Sequence, residues 1–374
     1  MILLGGGFCT AALAVHLTTV ATVLARIRGV DAPLPPPTDA PGVTVIRPVC
    51  GIENYVEQTL RSAFWLDYPN YEILFCAASE RDDAVPLVRK LIAANAHVPA
   101  RLLIGNDAMS ANPKLNNIAK GWHAARHDLI VMADSNVLMR RDHIQRMLAA
   151  WQSNTGMVCS PPAGVLPENF WAEVECAFLN TYQARWQCFA DSLGFGFAQG
   201  KTMLWRRPML DDAGGMKALA SEIAEDAAAT KVVRQAGLRV HLMDEPVVQP
   251  LGIRSAAEVW HRQMRWARLR RDTFKLLFLP ELFAGGMWPL AVGAAIATLT
   301  GWVGLVWFIA LAVAWYGSEL MLARVAGWPL SRRTLAACLL RDLLLPILWI
   351  VSWAGDEFEW RGNAMRVADQ SRAA

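Results

Sequence analysis

The sequence predicts an α/β domain built on a largely parallel sheet and attached to a membrane by flanking apolar helices. Between residues 43 and 243, short β-rich runs alternate with helical segments, which is typical of a parallel sheet covered on both faces. One of these runs, 129–132, holds only apolar residues, as does a strand buried on both faces. Long runs without charged side chains lie near both ends of the chain, and their lengths suit membrane-crossing helices.

Composition favours a membrane-attached protein and argues against a nucleic-acid partner. Hydrophobic residues make up 54% of the 374 residues, which exceeds the usual share of soluble domains. The formal net charge of +3 is too small to indicate nucleic-acid binding. The 7 cysteines show no metal-ligand spacing, and such a scattered set favours reduced thiols in a cytosolic compartment over a disulfide framework.

The N-terminal segment predicts a transmembrane anchor at 1–28. Residues 2–25 contain no Asp, Glu, Lys or Arg, and Arg26 and Arg28 follow at once. A signal peptide is the alternative, but its basic residues would precede the apolar run. Basic residues after the run place the N-terminus outside and the next segment in the cytosol. The prolines of 29–42 then predict a stiff linker to the next domain.

The predicted strands and helices of the central region are short, because turn and polar residues end each of them. No GxGxxG follows the first strand, so the usual dinucleotide fingerprint is missing. The predicted strands are 43–47, 71–76, 101–104, 129–132, 157–160, 202–205 and 238–243. The predicted helical segments are 54–64, 84–94, 114–125, 170–190 and 221–235.

Acidic residues follow two of the predicted strands. Asp83 comes after the second strand, and Asp134 comes directly after the fourth. Because α/β sheets bind ligands at the carboxyl ends of parallel strands, both are candidate binding residues. A loop or helix cap is the competing interpretation of each, since Asp is a common capping residue. Asp82 is a plausible substitute for Asp83.

The C-terminal third predicts an interfacial helix followed by membrane helices. Basic residues fill much of 254–280 between apolar positions, which predicts an amphipathic helix on the membrane surface; a solvated charged face is the alternative. The run 283–318 has no charged residue and is long enough for two short crossings hinged near Gly301. A further run, 336–353, crosses or re-enters the membrane within the predicted membrane region 281–374.

Two sequence features nearer the C-terminus join Asp83 and Asp134 in a recognisable motif pattern. Asp226 lies at a predicted helix start, and Arg262 to Trp266 read Arg-Gln-Met-Arg-Trp. With Asp83 and Asp134, they resemble the processive-type glycosyltransferase pattern of three aspartates followed by a (Q/R)xxRW box. More narrowly, the sequence resembles the ceramide glucosyltransferase family and its bacterial relatives that glycosylate other lipids. The local matches are Leu66–Glu72, Asn112–Asn117, Asp134-Ser135 and Ile223–Asp226, and the resemblance covers residues 43–275.

This resemblance implies a fold, a reaction and a location. The fold is a GT-A-type, Rossmann-like mixed sheet, in a cytosolic catalytic domain at 43–253 with membrane helices at both ends. The reaction is the inverting transfer of a hexose, glucose first, from a UDP-sugar to the hydroxyl of a membrane lipid such as ceramide or diacylglycerol. The product is a β-glycolipid, and the protein is an integral membrane protein of a bacterial inner membrane.

The family pattern also implies roles in donor binding. Asp134 is the implied ligand of a divalent cation, Mg or Mn, which neutralises the leaving diphosphate. The usual Asp-x-Asp is not intact, because its third position is Asn136, whose carbonyl brings less charge. Asp83 is implied to hold the uracil or ribose. Lys114 is implied to contact the nucleotide or diphosphate, with an ordinary surface lysine as the alternative.

The pattern assigns catalysis to Asp226. Its carboxylate would take the proton of the lipid hydroxyl while that oxygen attacks the anomeric carbon from the face opposite the diphosphate. Glu225 is the competitor for this role. Arg262 and Arg265 are three residues apart and share one helix face, so together with Trp266 they would bind the diphosphate and stack near the acceptor site.

Departures from the family pattern keep alternatives open. Gln183 to Arg185 stand where animal enzymes carry His-Pro-Arg, which puts the ceramide acceptor in question. A processive polysaccharide synthase is the second hypothesis, although the few C-terminal apolar runs argue against a polymer conduit. A non-catalytic membrane scaffold is the third, and the retained acids and Arg-Trp box argue against it.

Overall fold

The chain forms two units in the computed structural model, which describes residues 2–28, 32–360 and 363–366. The predicted helical segment 170–190, which lies within the predicted catalytic domain 43–253, falls largely in the membrane unit. The sheet unit comprises Gly29–Ala163, Ala190–Gly252 and Met365–Ala374, and the membrane unit comprises Met1–Arg28, Gly164–Phe189 and Ile253–Ala364.

Strands and helices alternate in the sheet unit, and helices dominate the membrane unit. The strands are β1 (Val43–Val49), β2 (Tyr71–Ala77), β3 (Ala100–Ile104), β4 (Leu129–Ala133), β5 (Thr155–Cys159), β6 (Pro162–Pro167), β7 (Thr202–Arg206), β8 (Arg239–Leu242), β9 (Val247–Gly252), β10 (Glu357–Trp360) and β11 (Asn363–Arg366). The α-helices are α1 (Ile2–Ile27), α2 (Val56–Ser62), α3 (Ala84–Ala94), α4 (Pro113–Ala124), α5 (His143–Ala149), α6 (Phe170–Cys176), α7 (Arg185–Ser192), α8 (Arg207–Asp212), α9 (Met216–Leu219), α10 (Glu225–Gln235), α11 (Ala256–Thr273), α12 (Lys275–Phe278), α13 (Met287–Thr300), α14 (Trp302–Val325) and α15 (Thr334–Ser352). A π-helical segment, Ala177–Ala184, joins α6 to α7, and 3₁₀ turns lie at Ala63–Trp65 and Leu279–Phe283.

One mixed sheet of seven strands has the order β3-β2-β1-β4-β7-β5-β8. β1 lies between β2 and β4 and pairs with both in parallel. β7 runs antiparallel to both of its neighbours, β4 and β5. Every residue of β1 and β2 is buried, as expected for strands covered on both faces. The predicted Rossmann-like mixed sheet is confirmed.

The antiparallel course of β7 decides which residues meet at the carboxyl edge of the sheet. The last residue of β4, Ala133, pairs with the first residue of β7, Thr202. Asp134 therefore lies next to Lys201, and its backbone N–H donates to the Lys201 carbonyl at 3.0 Å. A residue that precedes a strand is thereby brought to the edge at which α/β sheets bind ligands.

Most predicted elements are found, with shifts at their ends. The helix predicted from Asn54 begins at Val56, and the Asn54 side chain donates to the Leu251 carbonyl at 2.9 Å. The helix predicted from Ser221 begins only at Glu225, the first residue of α10.

Four helices among the described residues are long and apolar enough to cross a membrane. The predicted N-terminal anchor agrees with the first of them. The hinge predicted near Gly301 is found between α13 and α14, where Gly301 has a φ of 64°. The four candidate spans are Ile2–Ile27, Lys275–Thr300, Trp302–Val325 and Thr334–Ser352.

Helix α14 continues beyond Ser318, where the predicted apolar run ends, because the next residue is neutralised by an ion pair. Glu319 is 1% exposed and accepts hydrogen bonds from Arg341 of α15 at 3.0 and 3.1 Å. The Arg341 guanidinium also lies 2.8 Å from Asp342 and donates to Thr181 at 2.7 Å. Charges can stay in an apolar interior only when they are paired and hydrogen-bonded, as these are.

Replacing Arg341 by Met should strongly destabilise the membrane unit. The change leaves the carboxylates of Glu319 and Asp342 buried without their cation, and breaking a buried pair in this way costs about 3–5 kcal/mol. Thermal unfolding of the detergent-solubilised protein, followed by size-exclusion chromatography, measures the effect. Arg324→Met, at an exposed arginine of α14, is the control and should unfold like the wild type. An unchanged unfolding temperature in Arg341→Met would contradict the stabilising role.

Candidate active site

A cluster of alternating charges lies at the carboxyl end of β4. The Lys114 ammonium is 2.7 Å from Asp134 Oδ1 and 2.6 Å from Glu225 Oε1. The Lys201 ammonium is 3.1 Å from Asp134 Oδ2. Asp226 follows Glu225 in the first turn of α10. The sheet unit thus brings together three residues that separate sequence motifs predict, namely Lys114, Asp134 and Asp226.

Asn112 connects the helix that carries Lys114 to the helix that carries the two acids. Its side-chain oxygen accepts from the backbone N–H groups of Lys114 and Leu115, which caps the start of α4. Its amide nitrogen donates to Glu225 Oε2 at 2.7 Å and to the Ile223 carbonyl at 2.9 Å. Because Asn112 is fully buried, these contacts hold the starts of α4 and α10 together.

The backbone of Gly200 lies between the members of the cluster. Its carbonyl accepts from the Lys114 ammonium at 2.7 Å, and its N–H donates to Asp226 Oδ2 at 3.1 Å. A Cβ atom at this position would lie 2.9 Å from Glu225 Oε1 and 3.2 Å from Lys114 Nζ. A side chain here would displace the Glu225 carboxylate, and glycine avoids this displacement where its backbone links the lysine to the aspartate.

A buried arginine holds the turn that presents Asp134. Nη2 of Arg47 donates to the carbonyls of Asp134, Ser135 and Val137 at 2.9, 3.2 and 3.0 Å. Thr59 donates to the Ser135 carbonyl at 2.6 Å. Burial lowers the pKa of Arg47 to about 10, although the charge of Asp134 opposes part of this shift. The backbone of the turn is therefore held by hydrogen bonds from β1 and α2.

The ion pairs keep both the lysine and the aspartate charged. Burial alone would lower the pKa of Lys114, but the charges and hydrogen bonds of Asp134 and Glu225 outweigh burial and raise that pKa. Burial alone would raise the pKa of Asp134, but the charges of Lys114 and Lys201 outweigh it and lower that pKa. Asp134 and Lys114 therefore remain ionised at neutral pH.

The two adjacent acids of α10 lie in different environments. Glu225 is 4% exposed, and its two carboxylate oxygens accept from Lys114 and Asn112. Asp226 is half-buried, and its oxygens accept from backbone N–H groups. Burial and the charge of Glu225 raise the pKa of Asp226 to about 6. Because a carboxylate with a pKa nearer neutrality is the better proton acceptor, this difference favours Asp226 as the base.

Lysine occupies the oxygens that were expected to ligate a divalent cation. Asn136 Oδ1 accepts from the Lys201 ammonium at 3.0 Å, and the same ammonium pairs with one oxygen of Asp134. The other oxygen of Asp134 pairs with Lys114. Among the residues that the structure describes, no group of three or more His, Cys, Asp or Glu side chains could hold a metal ion. This donor set does not fit the divalent cation predicted at Asp134.

Asp82, and not Asp83, makes the hydrogen bond that caps the start of α3. Asp83 is the residue before α3, but its side chain makes no capping hydrogen bond and is exposed. Asp82 Oδ1 instead accepts from the backbone N–H groups of Ala84 and Gly51, each at 2.9 Å. Asp82 therefore has a structural role, and Asp83 is the candidate for contact with a ligand.

The Arg-Trp box lies on α11 in the membrane unit, where one of its arginines binds a buried acid. Arg262 forms an ion pair with Glu175 of α6, whose side chain is 1% exposed and also lies 3.4 Å from Arg254. This pair anchors α11 to α6. The predicted diphosphate contacts of Arg262, Arg265 and Trp266 stay predictions.

The chain matches one protein family over nearly its whole length. A sequence model of glycosyl transferase family 21 matches residues 8–373. The chain belongs to this family. Ceramide glucosyltransferase 1 of Caenorhabditis elegans is 32% identical over 238 residues, which are 63% of this chain and 51% of that protein. The ceramide glucosyltransferase of Komagataella phaffii is 29% identical over 296 residues, which are 64% of this chain and 58% of that protein. The family 21 chain thus spans little more than half the length of these relatives.

A solved structure resembles the family 21 chain more distantly. The mannosyltransferase of Pyrobaculum calidifontis, in complex with GDP-Man and Mn²⁺, is 18% identical with a TM-score of 0.49, over 90% of this chain and 98% of that chain. This likeness does not identify a nucleotide or a metal for the family 21 chain. The predicted GT-A-type fold is confirmed by the mixed sheet together with family membership.

Three members of the site escape the sequence motifs. Lys201 and Gly200 precede the strand β7. Ligand-binding residues of α/β sheets are expected at the carboxyl ends of strands, so the sequence does not point to these two. Arg47 lies within β1, where it is the single charged residue of a strand that ends in Pro48 and Val49. A charge in a strand buried on both faces is the signal that could have revealed it, because arginine is seldom fully buried without partners.

Replacing Gly200 by Ala should disable the site without unfolding the protein. The added Cβ would push the Glu225 carboxylate away from Lys114, and a displacement of about 1 Å in an active site can lower the rate about 100-fold. Glycosyl transfer and thermal unfolding are measured in parallel. Gly317→Ala is the control, because its Cβ would meet no atom within 4 Å. Wild-type transfer by Gly200→Ala would contradict the requirement for close approach.

Proposed function

We propose that this chain transfers a hexose, with glucose as the first candidate, from a UDP-sugar to the hydroxyl of a membrane lipid. Membership in glycosyl transferase family 21 supports the reaction class, and its relatives are named for glucosyl transfer to ceramide. The observation that carries the proposal is the position of Asp226. This acid has a raised pKa and is joined through Gly200 to the Lys114–Asp134 pair. A proton acceptor beside a cationic cluster suits the transfer.

Asp226 is the proposed general base of an inverting displacement. As the lipid oxygen attacks the anomeric carbon, its proton passes to Asp226 and a new C–O bond forms. The bond between the anomeric carbon and the diphosphate breaks, and its electron pair leaves with UDP. Attack from the face opposite the diphosphate inverts the centre, so an α-linked donor gives a β-glycolipid. Backbone N–H groups, including that of Gly200, orient the base.

The charged cluster is the proposed donor site. Lys114 supplies positive charge next to Asp134, where the diphosphate would lie. Asp83, exposed at the start of α3, is the proposed contact to the uracil or ribose. The proposed reaction uses no Mg or Mn, because the oxygens of Asp134 and Asn136 already accept from lysine ammonium groups.

The membrane unit is the proposed acceptor side. Arg265 and Trp266 of α11 are the proposed contacts to the diphosphate and the acceptor, and Arg262 supports them through its ion pair with Glu175. Helix α11 is proposed to lie at the membrane surface, with the catalytic residues in the cytosol, because basic residues follow the first span. In a bacterium, this arrangement corresponds to the inner membrane.

The product of the proposed reaction is a lipid that carries one sugar. Membranes containing the protein, supplied with radiolabelled UDP-glucose and a mixture of ceramide, diacylglycerol and hopanoid, should transfer label to the organic phase. Mass spectrometry of the labelled lipid identifies the acceptor. Label that remains aqueous in a polymer would instead support a polysaccharide synthase. Absence of both products, together with absence of UDP-sugar binding, would support the scaffold hypothesis.

The rate of transfer should depend on pH through Asp226. The base acts when deprotonated, so kcat/KM should rise with pH through about 6 and reach a plateau above it. Asp226→Asn should lower kcat by about 10²–10⁴-fold, the usual contribution of a general base, and abolish this pH dependence. Steady-state kinetics over a pH series measures both effects.

The control for this prediction is Asp212→Asn, the same change at an exposed aspartate. It should retain the wild-type rate and pH profile. UDP binding by Asp226→Asn should also be retained, because the base contacts the acceptor side of the reaction. Normal turnover by Asp226→Asn would reject Asp226 as the base, and loss of activity in Glu225→Gln with full activity in Asp226→Asn would transfer the role to Glu225.

A further inference from the structure

Lys201 is the member of the charged cluster that no sequence motif assigns. Its ammonium donates to Asn136 Oδ1 at 3.0 Å and lies 3.1 Å from Asp134 Oδ2. Asp134 and Asn136 are the first and third residues of the Asp-x-Asn triplet after β4. In an intact Asp-x-Asp, these two positions would both offer carboxylates to a divalent cation. An ammonium bridges them here.

The charge of the triplet matches one ammonium better than a divalent cation. Two aspartates would carry two negative charges, which one divalent cation neutralises. With Asn136 in the third position, the triplet retains only the charge of Asp134, which one lysine balances. A divalent cation held by Asp134 would have to share that carboxylate with the ammonium groups of Lys201 and Lys114, and like charges repel strongly in a poorly hydrated site.

The surroundings of Lys201 hold its ammonium between these two side chains. The Lys201 side chain is only 10% exposed, and its carbonyl accepts from the Asp134 N–H at 3.0 Å. The next residue, Thr202, pairs with the last residue of β4. On the other side, the Asn136 amide nitrogen donates to Glu53 at 3.2 Å. The bridge is therefore part of the folded sheet edge.

Lys114 has a different task in the cluster. An ammonium has three N–H donors, and those of Lys114 meet the Gly200 carbonyl, Asp134 and Glu225 at 2.7, 2.7 and 2.6 Å. Lys114 thus joins four elements of the site and keeps Asp134 oriented. The cation between Asp134 and Asn136 is Lys201.

We propose that Lys201 replaces the divalent cation of the donor site, so that this chain binds the diphosphate of its nucleotide donor without Mg²⁺ or Mn²⁺. The inference rests on the proposed UDP-sugar donor. Negative charge grows on the diphosphate as its bond to the anomeric carbon breaks, and the ammonium N–H groups of Lys201 stabilise that charge. The ammonium keeps its proton throughout, and UDP leaves with the electron pair of the broken bond.

Calorimetry with UDP on the full-length protein in detergent tests the inference. The wild type should bind UDP with the same Kd in excess EDTA as in Mg²⁺ or Mn²⁺. Lys201→Met should weaken binding in EDTA by about 10- to 100-fold, as expected for the loss of a charge-assisted hydrogen bond. Lys90→Met removes an exposed lysine from α3 and should bind UDP like the wild type. Size-exclusion chromatography confirms that each variant is folded.

A double variant tests the exchange of cations directly. Lys201→Met combined with Asn136→Asp rebuilds an Asp-x-Asp triplet and removes the ammonium. This variant should bind UDP weakly in EDTA and regain binding when Mn²⁺ or Mg²⁺ is added. Lys201→Arg keeps the positive charge, so its UDP binding should stay insensitive to EDTA.

The outcomes separate this inference from the proposed function. Wild-type UDP binding that is lost in EDTA and restored by Mn²⁺ would overturn the role of Lys201, while UDP-sugar as donor and a glycolipid as product would stand. Wild-type affinity in Lys201→Met in EDTA would also overturn that role. A folded wild type that binds no UDP in either condition would overturn both the inference and the proposed donor.

Discussion

The ion pairs of Asp134 with Lys114 and Lys201 join the elements that meet at the carboxyl edge of the sheet. Asp134 follows β4, Lys114 lies in the first turn of α4, Lys201 precedes β7, and Glu225 begins α10. Elements from distant parts of the sequence therefore end at one set of charges. Because these charges neutralise one another at low exposure, loss of one would leave its partner uncompensated, which costs more than the pair contributes.

Groups outside the ion pairs prepare the cluster before any ligand arrives. Arg47 and Thr59 hold the backbone of the Asp134 turn, and Asn112 holds Glu225. A site whose charges are already oriented needs little reorganisation when negative charge develops on a leaving group. In the same arrangement, Asp226 has backbone hydrogen-bond partners and a raised pKa. Of the two adjacent acids, Glu225 therefore stabilises the cluster, and Asp226 is the candidate for proton transfer.

Buried charges in the membrane unit are also paired with charges of opposite sign. Arg341 neutralises Glu319 and Asp342 between helices, and Arg262 neutralises Glu175 beneath α11. Each buried acid has an arginine because an unpaired charge in an apolar interior is prohibitively costly. A motif arginine can therefore serve the packing of its helix as well as a ligand, and its place in a sequence pattern does not separate these tasks.

The sequence by itself determined the alternation of strands and helices, the position of Asp134 at a strand end, the apolar spans and the hinge at Gly301. These features depend on local periodicity, chain length and backbone preference, which can be read along the chain. Only the tertiary structure decided that Lys201 meets Asp134, and that Glu225 is neutralised while Asp226 is not. Both outcomes depend on the antiparallel pairing of β7 with β4 and on the packing of α10 near α4, and no local pattern records which distant charge a side chain will meet.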